Sequence, residues 1–136
     1  MQILYDSNHW VAVACVRDEI YVADSLGKEN ISAVVAKQLQ QLYASHLSSD
    51  DVMEVNLVTC VQLPNNSDCG VCATAFLFEW AASSIQTSLD VRFDLLNMRP
   101  HLITCLEAER LIPFPKLVAT RRGKCAAVRK VYVTCI

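Results

Sequence analysis

Asp68-Cys69-Gly70-Val71-Cys72-Ala73-Thr74-Ala75-Phe76-Leu77-Phe78-Glu79-Trp80-Ala81-Ala82 follows a polar loop, Gln62-Leu63-Pro64-Asn65-Asn66-Ser67, in a chain of 136 residues. The run from Cys69 to Ala82 has helical composition and almost no polar face, which predicts a helix enclosed on all sides at the centre of the fold. Cys69 stands at its first position, after turn-prone residues. A thiol there meets the positive end of the helix dipole and the open N–H groups of the first turn, and both favour thiolate over thiol. Asp68 is positioned to cap the helix. Gly70 permits close approach of another group to its tight start.

Working outward, Trp10-Val11-Ala12-Val13-Ala14-Cys15-Val16 and Ile20-Tyr21-Val22-Ala23 are apolar on both faces. This is the pattern of strands buried on both sides of a sheet. Arg17-Asp18-Glu19 is the polar turn between them. Ile31, Val34, Val35, Leu39, Leu42 and Tyr43 recur at helical spacing, with Asn30 as the expected N-cap, and Ser48-Ser49-Asp50-Asp51 breaks the pattern. Val55–Val61 reads as a third strand. Phe93–Arg110 contains a further helix, expected to begin near Pro100 because proline suits the first turn. The order predicts an α+β fold with a mostly antiparallel sheet packed against a central buried helix. Residues 1–115 form one domain and residues 116–136 a basic tail.

Hydrophobic residues make up 53% of the chain and charged residues 19%, which marks a core-rich globular domain. Apolar runs are too short for a membrane span, and the first residues lack the pattern of a signal peptide. Seven cysteines, most of them inside apolar runs, fit a reduced compartment, the cytosol or nucleus, better than a secreted disulfide framework. The tail carries six Lys/Arg and no acid, which leaves six bases and fourteen acids in residues 1–115, a balance of −8. An acidic body excludes a nucleic-acid reader built on its own surface. The tail, the one segment able to touch nucleic acid or an acidic partner, reads as a solvated end.

The candidate chemistry is nucleophilic. His9 precedes the first apolar strand and Asp24 closes the second. Folding the ribbon about its turn brings both to one end, and strand alternation gives them matching faces. Asp24 would fix the tautomer of His9, and His9 would serve as base and acid for Cys69. Gln62 offers an amide to a developing oxyanion, together with backbone N–H groups at the helix start. Cys15, Cys60, Cys72 and Cys105 read as inert core thiols. His46 and His101 read as surface or helix-end residues without partners. Cys69-Gly70-Val71-Cys72 is also a C-x-x-C at a helix start, so thiol–disulfide exchange is a competing expectation. A zinc site on that pair would need two more ligands, for which Cys60 and Cys105 are the candidates.

Taken together, His9-Trp10, Asp24-Ser25, Gln62 and Asp68-Cys69-Gly70 resemble the ubiquitin-like-protein protease family, which holds the SUMO-specific and NEDD8-specific proteases and the adenovirus-type endopeptidases. The resemblance covers roughly residues 3–112 and rests on the order His, Asp, Gln, Cys. It implies a papain-like cysteine protease fold, with His9, Asp24 and Cys69 as the triad and Gln62 in the oxyanion hole. Trp10 would line a narrow channel that admits a Gly-Gly tail. The implied reaction is hydrolysis after Gly-Gly of a ubiquitin-like protein, SUMO-like above others, without metal or cofactor. Family domains carry a substantial segment before the histidine strand, whereas eight residues precede His9 here. The resemblance therefore implies a domain lacking its N-terminal part, and an inactive module that binds a ubiquitin-like protein is the alternative.

Overall fold

The computed structural model describes residues 1–59, 68–117 and 127–134. Strands β1 (Gln2–Asp6), β2 (His9–Val16), β3 (Glu19–Asp24), β4 (Val52–Thr59) and β5 (Ala127–Thr134) form one sheet in that spatial order. The pairs β1–β2, β2–β3 and β4–β5 are antiparallel, and β3–β4 is parallel. Two tight hairpins make the first three strands. Their turn residues Ser7 and Asn8 (φ 44° and 69°) and Arg17 and Asp18 (φ 50° and 63°) lie in the left-handed region that two-residue hairpin turns demand. Helix α1 (Ala33–Leu42) carries the chain from β3 to the parallel β4. Helices α2 (Cys69–Ala82), α3 (Ile85–Ser88) and α4 (Leu95–Glu107) follow β4.

The sheet is buried on both faces, and period-2 alternation sorts its side chains. Val11, Val13, Ile20, Val22, Met53, Val55 and Leu57 pack with Val35 and Leu39 of α1. Ala12, Ala14, Ala23 and Val58 face the other way and receive α2 through Cys72, Ala73, Phe76 and Trp80. Phe93, Met98 and Phe114 close over α2, which is why that helix is apolar all round. Its one buried acid, Glu79, is offset by Lys116, with Nζ 2.6 Å from Oε1. The α+β class, the mostly antiparallel sheet and the span of the central helix agree with expectation. Among the described residues, no helix is long and apolar enough to cross a membrane.

Three expectations are corrected. The cap of α1 is Ser32 and not Asn30, because the Ser32 hydroxyl accepts the Val35 N–H at 3.1 Å. Helix α4 starts at Leu95, so Pro100 lies inside it. That start is set from a distance, since the Asp94 N–H donates to the Pro115 carbonyl at 2.9 Å and Phe93 bridges Lys116. Proline at position 100 deprives only the Leu96 carbonyl of its helical donor, and Leu96 is 89% exposed. Finally, residues 127–134 of the basic tail form strand β5 on the edge of the sheet. Val133 is buried and Lys130 pairs with Glu54 across the ladder at 2.8 Å, so charge and a small apolar anchor hold the segment. Charged side chains on an edge strand also discourage pairing with a further chain.

The buried Trp80 indole donates to Ser88 Oγ at 2.9 Å, and that hydroxyl donates to the Ile85 carbonyl at 2.6 Å, tying α2 to α3. Ser88→Ala is expected to lower unfolding stability by about 1–3 kcal/mol in urea titration, because the indole N–H loses its acceptor. The Asp6 carboxyl is held below the ordinary range, chiefly by hydrogen bonding with the Ser32 side chain and then with Ser7. Since the folded value is depressed, the linked stability is present above the usual carboxylate pKa and is lost as pH falls through the folded value. Ser32→Ala is expected to move the Asp6 titration upward, read by carboxyl NMR shifts, and to cost about 1 kcal/mol through loss of the cap.

Candidate active site

His9 opens β2 and Asp24 closes β3. The ladder pairs Val13 with Val22 and Ala12 with Ala23. Extended by one step it sets Asp24 opposite Val11, diagonal to His9 on the same face. Side chains bridge that offset: His9 Nε2 lies 2.8 Å from Asp24 Oδ1, and both residues are 5% exposed. The same Oδ1 accepts the Leu26 N–H at 2.9 Å, and the Gly27 N–H donates to the Asp24 carbonyl at 3.1 Å. The turn after β3 therefore locks the carboxylate in place.

A carboxylate only accepts, so Nε2 of His9 carries the proton and Nδ1 keeps the lone pair of the neutral ring. Nδ1 is buried and meets no hydrogen-bond partner among the described residues. A buried polar atom in that state costs free energy, and a catalytic role is one of the few reasons a fold keeps one.

Cys69 is the first residue of α2, buried to 3% exposure, with Sγ 3.9 Å from the carbonyl of Asn8, the residue preceding His9. Strand start and helix start thus meet. They do so from opposite faces of the sheet. His9 and Asp24 line a small cavity with Val11, Val22, Val35 and Leu57, whereas Cys69 belongs to the layer of Ala12 and Ala14. Cys69 lines the floor of a groove walled by Tyr5, Asn8, Trp10, Gly70 and Arg99.

Trp10 points to the α2 face and lies over the helix start. A Cβ built on Gly70 would stand 3.5 Å from Trp10 Cδ1, an ordinary contact distance, so the indole rests on the glycine without demanding it. Its other side packs on Tyr5, with ring centroids 4.5 Å apart. Asp68 does not cap α2 with its side chain, contrary to expectation. Arg99 of α4 holds it instead, Nε to Oδ1 2.6 Å. The guanidinium offsets a carboxylate that would otherwise oppose a thiolate next door. By helix geometry, the first-turn N–H groups have no intrahelical acceptor. Arg99 and Tyr5 had no signal in the sequence, because each reaches the site only through tertiary packing. Gln62 lies outside the described residues, as does Cys60.

Comparison of the chain with models of protein families, with curated proteins and with solved structures finds no match in any of the three.

Cys72 is enclosed completely in the α2 core, so the second thiol of the C-x-x-C is sealed from solvent. Among the described residues, no three His, Cys, Asp or Glu side chains converge as metal ligands do. His101, expected without partners, donates Nε2–H to the Ile112 carbonyl (3.1 Å), stands 3.4 Å from Cys105 Sγ and packs on Phe114. His46 likewise has neighbours, Cys15 and Tyr43.

Asp24→Ala is expected to cost about 1–3 kcal/mol in chemical denaturation, since it leaves the buried Nε2–H without an acceptor. In the unmodified chain, ¹⁵N NMR of the His9 ring should report the proton on Nε2. A proton on Nδ1 would contradict the assignment.

Proposed function

We propose that the chain is a cysteine peptidase of the ubiquitin-like-protein protease type, cutting peptide or isopeptide bonds after a Gly-Gly tail, SUMO-like substrates first among them. The observation that carries the reading is the buried His9–Asp24 pair, which leaves a lone pair on Nδ1 at the end of β2 whose preceding residue, Asn8, meets the Cys69 thiol through its backbone carbonyl. In this reading the His9 ring turns toward the Cys69 face and takes the thiol proton, and the Cys69 thiolate attacks the carbonyl carbon of the terminal glycine. First-turn N–H groups of α2, with Gln62, stabilise the oxyanion. The imidazolium then protonates the departing amine, leaving a thioester that water hydrolyses with His9 as base. Trp10 and Tyr5 form an aromatic wall against which a residue with a Cβ fits less well than glycine. No cofactor is needed for these steps.

A module that holds a ubiquitin-like protein without cutting it is the second reading. One observation favours it: the His9 ring lines the cavity with Val11 and Leu57, while Cys69 lines the groove on the other face.

Covalent capture separates the two. Ubiquitin-like proteins bearing a thiol-reactive group at the Gly-Gly terminus are expected to form an adduct, seen by intact mass, with the chain but not with Cys69→Ala. Asp24→Asn is expected to slow capture and hydrolysis by about 10²–10⁴-fold. A folded chain that binds the tail and forms no adduct would overturn the peptidase and leave the binding module.

A further inference from the structure

A second cysteine–histidine pair lies at the opposite end of β2. Cys15 is next to last in that strand, and His46 ends a 3-10 turn, Ala44–His46, that follows α1. His46 Nε2 is 3.6 Å from Cys15 Sγ and 3.9 Å from Asp18 Oδ1 on the hairpin turn. Its Nδ1 lies 3.3 Å from Ser45 Oγ. In the tautomer that donates Nδ1–H to this hydroxyl, the lone pair of Nε2 faces the thiol. Transfer of the thiol proton then sets a thiolate against an imidazolium, and the exposed Asp18 carboxylate favours the cation.

The surroundings suit a reactive thiol. Tyr43 packs edge-on to the His46 ring, centroids 5.9 Å apart. Burial, and next the charge on Cys15, raise its phenol above the ordinary value, so Tyr43 stays neutral and adds no repulsion. Cys15 is half-buried, and His46 forms part of an open groove with Ser48, Val52, Glu54 and Tyr132. The Glu54 carboxylate in that wall is paired with Lys130 at 2.8 Å. The contrast with Cys105 is instructive. Its neighbour His101 is shared with the Ile112 carbonyl through the same Nε2, which needs the proton there, and Cys105 is 2% exposed.

We propose that Cys15, with His46 as its base, is a peroxide-reactive thiol and a site of reversible oxidation. The Cys15 thiolate attacks one oxygen of a hydroperoxide, and the S–O bond forms as the O–O bond breaks. Sulfur gives up two electrons and the peroxide is reduced. The departing oxygen takes the proton from the His46 imidazolium and leaves as water or an alcohol, with Cys15 as a sulfenic acid.

The test treats the whole chain with hydrogen peroxide in the presence of a cyclic 1,3-diketone, which traps sulfenic acids, and reads each cysteine by peptide sequencing in a mass spectrometer. Cys15 is expected to label at least about tenfold faster than Cys72 or Cys105, as its exposure and the imidazole beside it dictate. His46→Ala should slow Cys15 by about tenfold and leave Cys105 unchanged. His46→Gln, which keeps a polar side chain but no base, should do the same if the alanine change unfolds the turn. Equal labelling of Cys15, Cys72 and Cys105 in the unmodified chain, or a His46 variant that is folded and labels as fast, would overturn the proposal.

Discussion

Helix α2 can lie close to the sheet because the strands offer it alanines. Ala12, Ala14 and Ala23 are almost wholly buried beneath Ala73, Phe76 and Trp80, and larger side chains there would lift the helix away. The first residue of α2 is Cys69, so the depth at which the helix sits fixes how near the thiol comes to the start of β2. The 3.9 Å between Cys69 Sγ and the Asn8 carbonyl is a consequence of that packing. The same closeness lets Trp10 rest on Gly70. Candidate nucleophile, aromatic wall and strand start are therefore placed by one interface.

The His9–Asp24 pair depends on a different constraint, the register of the β2–β3 hairpin. A slip of one residue would turn one partner to the opposite face. Register is held by the left-handed pair Arg17-Asp18 and by two apolar faces that each have a layer to bury against. Burial then makes the pair consequential. In low dielectric an unmatched carboxylate or ring N–H is costly, so Asp24 accepts from both His9 and Leu26. The two ends of β2 each carry a histidine contact, His9 with Asp24 at one and Cys15 with His46 at the other. The first is enclosed, the second half-open beside the exposed Asp18 carboxylate.

Much of this was legible in the residues. The strands around residues 10–23 announced themselves by apolar runs interrupted by three charged residues, and Cys69–Ala82 by its lack of a polar face. The alternation rule and the hairpin turn bring His9 and Asp24 to one end of the ribbon within reach of each other. Where the reading failed, the deciding contact was distant in sequence. Asn30 was a sound cap by type, but Ser32 stood where a hydroxyl meets the Val35 N–H. Pro100 looked like a helix start because local preference says so. The contacts of Phe93 and Asp94 with Lys116 and Pro115 began the helix earlier.

What the sequence alone determined is the class of each local element and the facing of residues along it, because period 2 and the unbroken apolar run are properties of neighbours. Tertiary structure decided the rest. Only it could show that Asp68 belongs to Arg99, that residues 127–134 complete the sheet, and that Cys15 has His46 beside it. It also decided that His9 and Cys69 approach one strand end from opposite faces. Each is a contact between segments tens of residues apart. It forms when burial of the intervening chain outweighs the entropy of bringing them together, and nothing in either segment alone encodes that balance.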